Sequence, residues 1–280
     1  VAPGAAGVSL PTGHAAADLE RRFGGLARLY GPLAYQRLRA LRIAVVGLGG
    51  VGSWAVEALS RSGVAELTLI DFDHVSESNI NRQIQALEST LGQSKAAALA
   101  QRIGDIHPQC QVRLVDDFVT PENWPALLPG PVDVVIDACD QVSAKTALAA
   151  WSLCEGVQLV TVGAAGGKQS PERVETQDLA HVTHDPLLAA LRQRLRKHHA
   201  TPRVGDMGVM CVFSREPVRA PSQVSSAQGL ACDPSPLPAP EPGLHCAGYG
   251  SSVMVTATFG MTAAALAIRL ALSFVPAARA

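Results

Sequence analysis

Ile43-Ala44-Val45-Val46-Gly47-Leu48-Gly49-Gly50-Val51-Gly52 is the stretch on which the reading of this chain turns. Four apolar residues run up to Gly47. Ser53–Arg61 follows with a helix-compatible pattern, and Gly63 is placed to stop it. A strand, a glycine turn and a helix in that order build a phosphate cradle. Glycine lets the backbone turn tightly and approach a ligand, while the helix N-terminus offers free N–H groups and a positive dipole end. Gly47, Gly49, Gly50 and Gly52 are therefore candidate nucleotide-binding residues. Alone, the turn suits NAD, FAD or ATP.

Outward from the turn, strand-like and helix-like runs alternate: Leu67–Ile70, Lys95–Ile103, Val112–Val115, Val132–Ile136, Ser143–Cys154 and Leu159–Val162. Leu26–Arg39 precedes them as a helical segment. This alternation predicts an α/β fold, a Rossmann-type mainly parallel sheet with helices on both faces. Its ligand belongs beyond the carboxyl ends of the strands, near the first turn. After Gly163 the pattern changes. Asp185 reads as a helix cap with Pro186 at the first helical position, and Leu187, Leu188, Leu191 and Leu195 make an apolar stripe. Pro217, Pro221, Pro234, Pro236, Pro238, Pro240 and Pro242 punctuate a loop over about 215–245 that is expected to be mobile. Ser252–Leu272 reads as a buried core helix, with peripheral membrane attachment as the alternative. Residues 1–18 read as a disordered tail with no signal-peptide pattern, and 19–280 as a single domain.

Asp71 ends the second strand, where an acidic side chain holds ribose hydroxyls. The run continues Asp71-Phe72-Asp73-His74-Val75-Ser76-Glu77-Ser78-Asn79-Ile80-Asn81-Arg82-Gln83, and Lys95 opens the next helix. A dehydrogenase has no need of Asn, Arg and Lys beside its nucleotide, whereas a triphosphate does. Arg82 and Lys95 can neutralise charge developing on phosphates, and Asn79 can hold an oxygen. A solvated polar loop is the plain alternative. At the end of the fourth strand stands Asp137-Ala138-Cys139-Asp140, whose carboxylates face the turn across the crevice and suit Mg²⁺. Asp137 can instead pack locally, and Asp140 can be an ordinary helix cap.

The chain has 280 residues, 48% of them hydrophobic, which is ample for a buried core. A formal net charge of −1 excludes a global pull towards nucleic acid, so DNA is not expected as a partner and RNA needs a local patch. Arg192, Arg196 and Lys197 are the candidates, their alternative being the solvated face of an amphipathic helix. Six cysteines are present without a C-x-x-C pair, so no zinc ribbon is expected, and scattered thiols favour the cytoplasm. Cys246 beside His245 invites a Cys–His reading, but neighbours in sequence need not meet in the right geometry.

From Gly47 to Asp140 these residues resemble, in order, the ubiquitin-activating-enzyme-like (E1-like) adenylating superfamily. A narrower resemblance covers nearly the whole chain after Leu19. Arg22-Phe23-Gly24-Gly25-Leu26-Ala27-Arg28-Leu29-Tyr30-Gly31, Val115-Asp116-Asp117-Phe118-Val119-Thr120-Pro121, Cys211-Val212-Phe213-Ser214 and Met254-Val255-Thr256-Ala257-Thr258-Phe259-Gly260 are similar to stretches of the tRNA threonylcarbamoyladenosine dehydratases. The resemblance implies an E1-like adenylation fold with a C-terminal extension, ATP and Mg²⁺ as cofactors, and a tRNA partner. It implies that Asp71 binds ribose, that Asp73 also belongs to the cofactor-binding set, that Asn79, Arg82 and Lys95 contact phosphates, and that Asp140 takes the metal and catalytic position. It further implies a homodimer in which the Arg reaches the neighbouring subunit's site, and a sulfur acceptor of a cysteine-desulfurase system as a further partner. The expected reaction is ATP-dependent cyclisation of N6-threonylcarbamoyladenosine through a carboxyl-adenylate. The alternative is adenylation of the C-terminus of a sulfur-carrier or ubiquitin-like protein.

Overall fold

The computed structural model describes residues 17–219 and 249–273. Three short helices open the chain: α1 (Leu19–Phe23), α2 (Gly25–Tyr30) and α3 (Pro32–Leu38). The helical segment expected over Leu26–Arg39 is thus two helices, broken at Gly31, whose φ of 83° no regular helix accommodates. Then come β1 (Arg42–Val46), α4 (Gly52–Arg61), β2 (Glu66–Ile70), α5 (Lys95–Ile106), β3 (Gln111–Val115), β4 (Val134–Asp137), α6 (Val142–Glu155) and β5 (Gln158–Val162). The last third holds β6 (Val174–Asp178), α7 (Pro186–His198), β7 (Met210–Ser214) and α8 (Val253–Ser273).

The strands form one seven-stranded sheet in the order β3-β2-β1-β4-β5-β7-β6. All neighbours are parallel except β6, which runs antiparallel to β7. Because side chains alternate across a strand, each strand feeds two cores. Ile43 and Val45 join Leu67, Leu69, Val134 and Ile136 beneath α4, α5 and α8. Ala44 and Val46 join Ile70, Val135 and Phe213 on the opposite face, under α6 and α7. The register sets Val46 against both Ile70 and Asp137, and Asp137 against Thr161. The carboxyl ends of four strands therefore open at one level, with the order reversing between β1 and β4.

The stripe expected on α7 is buried at Leu187, Leu188, Leu191 and Leu195, and Asp185 caps the helix by accepting from Leu188 N. Helix α8 is long and apolar enough by composition to cross a membrane, yet half of that stretch is buried in the chain's own core. Its Gly260 lets α8 touch α4: a Cβ there would run into Val51 O and lie 2.7 Å from Trp54 Cβ. Residues 215–219 depart from the mobile loop expected over 215–245, because buried Glu216 accepts from Gln169 N at 3.1 Å and Ser170 N at 2.8 Å. The rest of that loop, Cys246 and the tail up to residue 16 lie outside the described residues. Of the tail, Asp18 is placed, accepting from Arg21 N to cap α1.

Candidate nucleotide-binding and active site

Where β1 ends, Gly47 turns with φ 84°, and a Cβ on it would lie 2.9 Å from Cys139 N at the end of β4. A Cβ on Gly52 would collide with Gly47 O. These two glycines are demanded by the chain's own packing. Gly49 is different: a Cβ there would meet nothing of the protein within 4 Å, and the residue lines the cleft. Its bare backbone faces open space that a ligand can fill. Beside it α4 starts without a side-chain cap; Ser53 N and Ala55 N donate to Gly49 O and Val51 O at 3.1 Å, but no side chain covers the positive end of the helix, which is left open to an anion.

The cleft measures ≈ 250 Å³. Asp71 closes its floor, with Oδ2 accepting from Leu48 N at 2.6 Å and Oδ1 from Asp73 N at 2.8 Å. Burial raises its pKa above the ordinary carboxylate value, although Lys95 and the two N–H groups pull the other way. Lys95 is itself buried and donates from Nζ to Asp73 Oδ2 at 2.6 Å. Its charge is held at the cleft wall by a half-exposed partner. Arg82 packs over the turn, its Cγ 3.2 Å from where a Gly50 Cβ would sit, and its Nη1 donates to Asn81 Oδ1 at 3.0 Å and to Ser78 O. Arg82 thus lines the cleft of its own chain. Its carbonyl is pinned in turn by Trp54 Nε1 at 2.9 Å.

Two expected residues sit elsewhere. Asn79 does not line the cleft; its Oδ1 accepts from Ser76 N at 3.2 Å and closes the 3-10 turn that carries the loop towards Arg82. Gly52 stands behind the turn rather than in the cleft. Asp140 lies at the cleft mouth, exposed. Asp137 takes the local-packing alternative. It is fully buried, accepting from Thr161 Oγ1 at 2.6 Å and Lys145 Nζ at 3.1 Å. Burial alone would lower the Lys145 pKa, but Asp137, together with Cys139 and Asp185, outweighs it and the pKa ends raised. Among the described residues no three His, Cys, Asp or Glu side chains come together to hold a metal ion by themselves.

Several cleft residues carry no sequence assignment. Gln83 lines it next to Arg82, and Asp117 and Phe118 come from the end of β3. Phe118 meets Phe72 with ring centroids 5.3 Å apart. Gly163, Ala164, Ala165 and Gly166 form the wall beyond β5, and Ser251 and Thr256 approach from the start of α8. Both Phe118 and Gly163 follow the carboxyl ends of strands, so the rule that ligands sit there is the signal that could have found them; nothing in the local pattern marks Thr256. Cys139 also lines the cleft, but burial and Asp137 hold its pKa well above the ordinary thiol value.

On α7, Arg192 donates to Leu179 O at 3.0 Å and Val182 O at 2.7 Å, and Arg196 to Pro202 O at 3.3 Å. Carbonyls hold these guanidiniums without cancelling their charge. Together with Lys197 and Arg203 they line a shallow depression of ≈ 520 Å³.

The chain matches the ThiF family over residues 22–279. It is 44% identical over 252 residues to the tRNA threonylcarbamoyladenosine dehydratase of Escherichia coli (strain K12), covering 89% of this chain and 92% of that protein. The solved structure of the E. coli tRNA N6-threonylcarbamoyladenosine dehydratase, TcdA, in complex with ATP matches with a TM-score of 0.79 at 42% identity, over 91% of this chain and 95% of that one. Similarity to the molybdopterin-synthase adenylyltransferase of Salmonella typhimurium, at 35% identity, spans 130 residues, 46% of this chain and 51% of that protein. A match sustained from the first helices through α8 decides between them: the chain belongs to the ThiF family and, within it, to the tRNA threonylcarbamoyladenosine dehydratases.

Proposed function

We propose that this chain uses ATP to dehydrate N6-threonylcarbamoyladenosine in tRNA, closing a ring through a carboxyl-adenylate. The observation that carries the reading is the bare Gly49 backbone and uncapped start of α4, set beside Asp71, Arg82 and Lys95 in one cleft. No packing constraint explains the missing side chain at Gly49. A phosphate approaching the backbone does.

In this reading ATP places its ribose at Asp71 and its phosphates along the turn. A carboxylate is a poor electrophile, because its charge repels attack and oxide leaves badly. The threonyl carboxylate therefore attacks the α-phosphorus, and pyrophosphate departs. Lys95 and Arg82 face the charge that gathers there. An atom of the neighbouring carbamoyl group then closes onto the activated carbon, its proton goes to water, and AMP leaves with the former carboxylate oxygen. Both reacting groups belong to one molecule, so proximity supplies much of the rate. Mg²⁺, when bound, would supply positive charge between phosphate oxygens. Asp140, at the cleft mouth, is the residue that would hold it. Asn79 acts in this scheme through the loop it closes, and Asp73 by holding Lys95.

Arg192, Arg196 and Lys197 provide the local basic surface that a tRNA requires. Leu187 lines the cleft, and Arg196 stands nine positions further along the helix, about 14 Å along the axis. The homodimer, the single domain over 19–280 and a cytoplasmic location belong to the same proposal. So does a sulfur-acceptor partner, though Cys110, whose pKa burial pushes up to about 12, and Cys211, which burial holds well above the ordinary thiol value, are poor candidates to exchange sulfur. The test is incubation with ATP, Mg²⁺ and tRNA bearing threonylcarbamoyladenosine, followed by mass analysis of the nucleosides. Loss of one water from the modified nucleoside, with AMP and pyrophosphate in equal amounts, is expected. An unchanged nucleoside alongside adenylation of a glycine-ended carrier protein would overturn the reading.

A further inference from the structure

Asp185 is 3% exposed and bonds to two separate parts of the molecule. One carboxylate oxygen, Oδ1, accepts from Leu188 N at 3.0 Å and caps α7. The other, Oδ2, accepts from Ala164 N at 2.9 Å. Ala164 belongs to the wall from Gly163 to Gly166, which faces the cleft with nothing larger than a methyl group. Capping does not explain the choice of residue, since Ser or Asn caps a helix about as well as Asp. The second oxygen serves the wall. Room is kept for it: a Cβ on Gly163 would run into Oδ2 and lie 2.8 Å from Cγ. Two buried ammonium groups, Lys145 and Lys168, lie within electrostatic reach, so a carboxylate also balances charge beneath the wall where an amide would not.

The wall sits across the crevice from the phosphate turn. β5, which it follows, neighbours β4, and β4 neighbours β1. With ATP on the Asp71 and Lys95 side, the wall is what the acyl end of the other substrate meets. Backbone and methyl groups exclude water there and offer no side chain that could rotate to recover a displaced position. We propose that Asp185 is a positioning residue for the dehydration, fixing the wall from Gly163 to Gly166 against which the threonylcarbamoyl group is held, and tying that wall to the basic helix α7. This rests on the functional reading above. Misplacement of a reacting group by about 1 Å costs on the order of a hundredfold in rate, so a loosened wall is felt in turnover before it is felt in binding.

Asp185→Ser separates the two bonds, because its hydroxyl can cap Leu188 N but has no second oxygen for Ala164 N. Ala164 N then lacks its partner and Lys145 and Lys168 lose a nearby negative charge, so Tm should fall somewhat, while affinity for ATP alone should stay within about twofold of wild type. Assayed well below that Tm, KM for the modified tRNA should stay within about threefold while kcat falls tenfold or more. Asp185→Ala loses both bonds and should lower Tm further. A purely structural Asp185 would make kcat follow Tm, and Asp185→Ser with wild-type kcat overturns the proposal. Gly163→Ala leaves Asp185 in the chain but drives a methyl group into Oδ2 and close to Cγ, so Tm should fall here too. Assayed well below that Tm, it should lose kcat tenfold or more with KM for the modified tRNA within about threefold, and it serves if the serine variant does not fold; full kcat in folded Gly163→Ala overturns the proposal equally. Wild-type protein run in parallel keeps the readings apart. If it leaves the modified tRNA unchanged, the functional reading fails and this proposal falls with it, whereas an active wild type beside a fully active serine variant removes the proposal alone.

Discussion

Gly49 and Gly52 stand one turn apart and are glycine for different reasons, which substitution can expose. At Gly49 an added Cβ meets no protein atom within 4 Å, so Gly49→Ala should fold with a Tm close to wild type. Its methyl group enters the space assigned to a phosphate, so ATP affinity should drop tenfold or more in calorimetric titration. Gly52→Ala collides with Gly47 O and should lower Tm by several degrees before nucleotide is added. Equal ATP affinity for folded Gly49→Ala and wild type would take the phosphate away from this turn. Asp140 is expected to act through the metal alone. Asp140→Asn should keep the circular dichroism of wild type and lose about a hundredfold or more in turnover across a Mg²⁺ series. Near-wild-type rates would remove it from the chemistry. Asp71 and Lys95 were readable in the sequence because each sits at the boundary of a strand or helix whose end faces the crevice. Asn79 carries the right functional group, but whether its amide turns to a ligand or back to Ser76 N depends on a 3-10 turn that residue types alone do not reveal.

Helix α7 was legible down to its cap, since a proline after an acid and a leucine stripe leave little freedom. Strand β6 was not. Val174-Glu175-Thr176-Gln177-Asp178 has no apolar alternation, and it is a strand because β7 offers it an edge to pair with. The cleft wall after β5 and the approach of Thr256 were hidden for a related reason, as both follow from which strands and helices become neighbours. The basic turns of α7 yield an expectation of their own. Replacing Arg192, Arg196 and Lys197 with Ala should weaken tRNA binding and flatten its dependence on salt, because every phosphate left without a protein cation keeps its own counterions. The carbonyl bonds of Arg192 and Arg196 mean that Tm will fall somewhat too, so the salt slope is the quantity to read. An unchanged slope would return this helix to an ordinary solvated surface.

Across the molecule, acid stability should report on His107. It is 1% exposed, meets Phe23 at a tilted angle with centroids 4.9 Å apart, and has Nε2 3.0 Å from Arg39 Nη1. Burial, then the charges of Arg39 and Arg22, lower its pKa from 6.5 to about 4. The folded state therefore refuses a proton that the unfolded chain accepts. Its contribution is complete above pH 6.5 and is lost as pH falls towards 4, by up to about 3 kcal/mol. His107→Phe should flatten the fall in stability over that window in denaturant titrations, and an identical pH slope would place the titration elsewhere. Subunit assembly gives the other global test. Since Arg82 lines the cleft of its own chain, mixing Arg82→Ala with Asp140→Ala subunits should restore no activity, with heterodimers confirmed by mass. Recovery would show that Arg82 serves the partner's site.

The contact at Gly260 bears on how the protein is made. The candidate phosphate turn runs into the start of α4, near residue 52, yet α4 is seated by a helix that begins at Val253. Chains are synthesised from the N-terminus at about 5–20 residues per second. Most of the sheet can therefore emerge from the ribosome and pair tens of seconds or less before its nucleotide turn is braced. A nascent chain in that interval has its phosphate-binding sequence complete and its phosphate-binding geometry unfinished. Acquisition of ATP would then mark the arrival of α8, so that a chain still lacking it neither traps nucleotide nor begins a reaction it cannot complete.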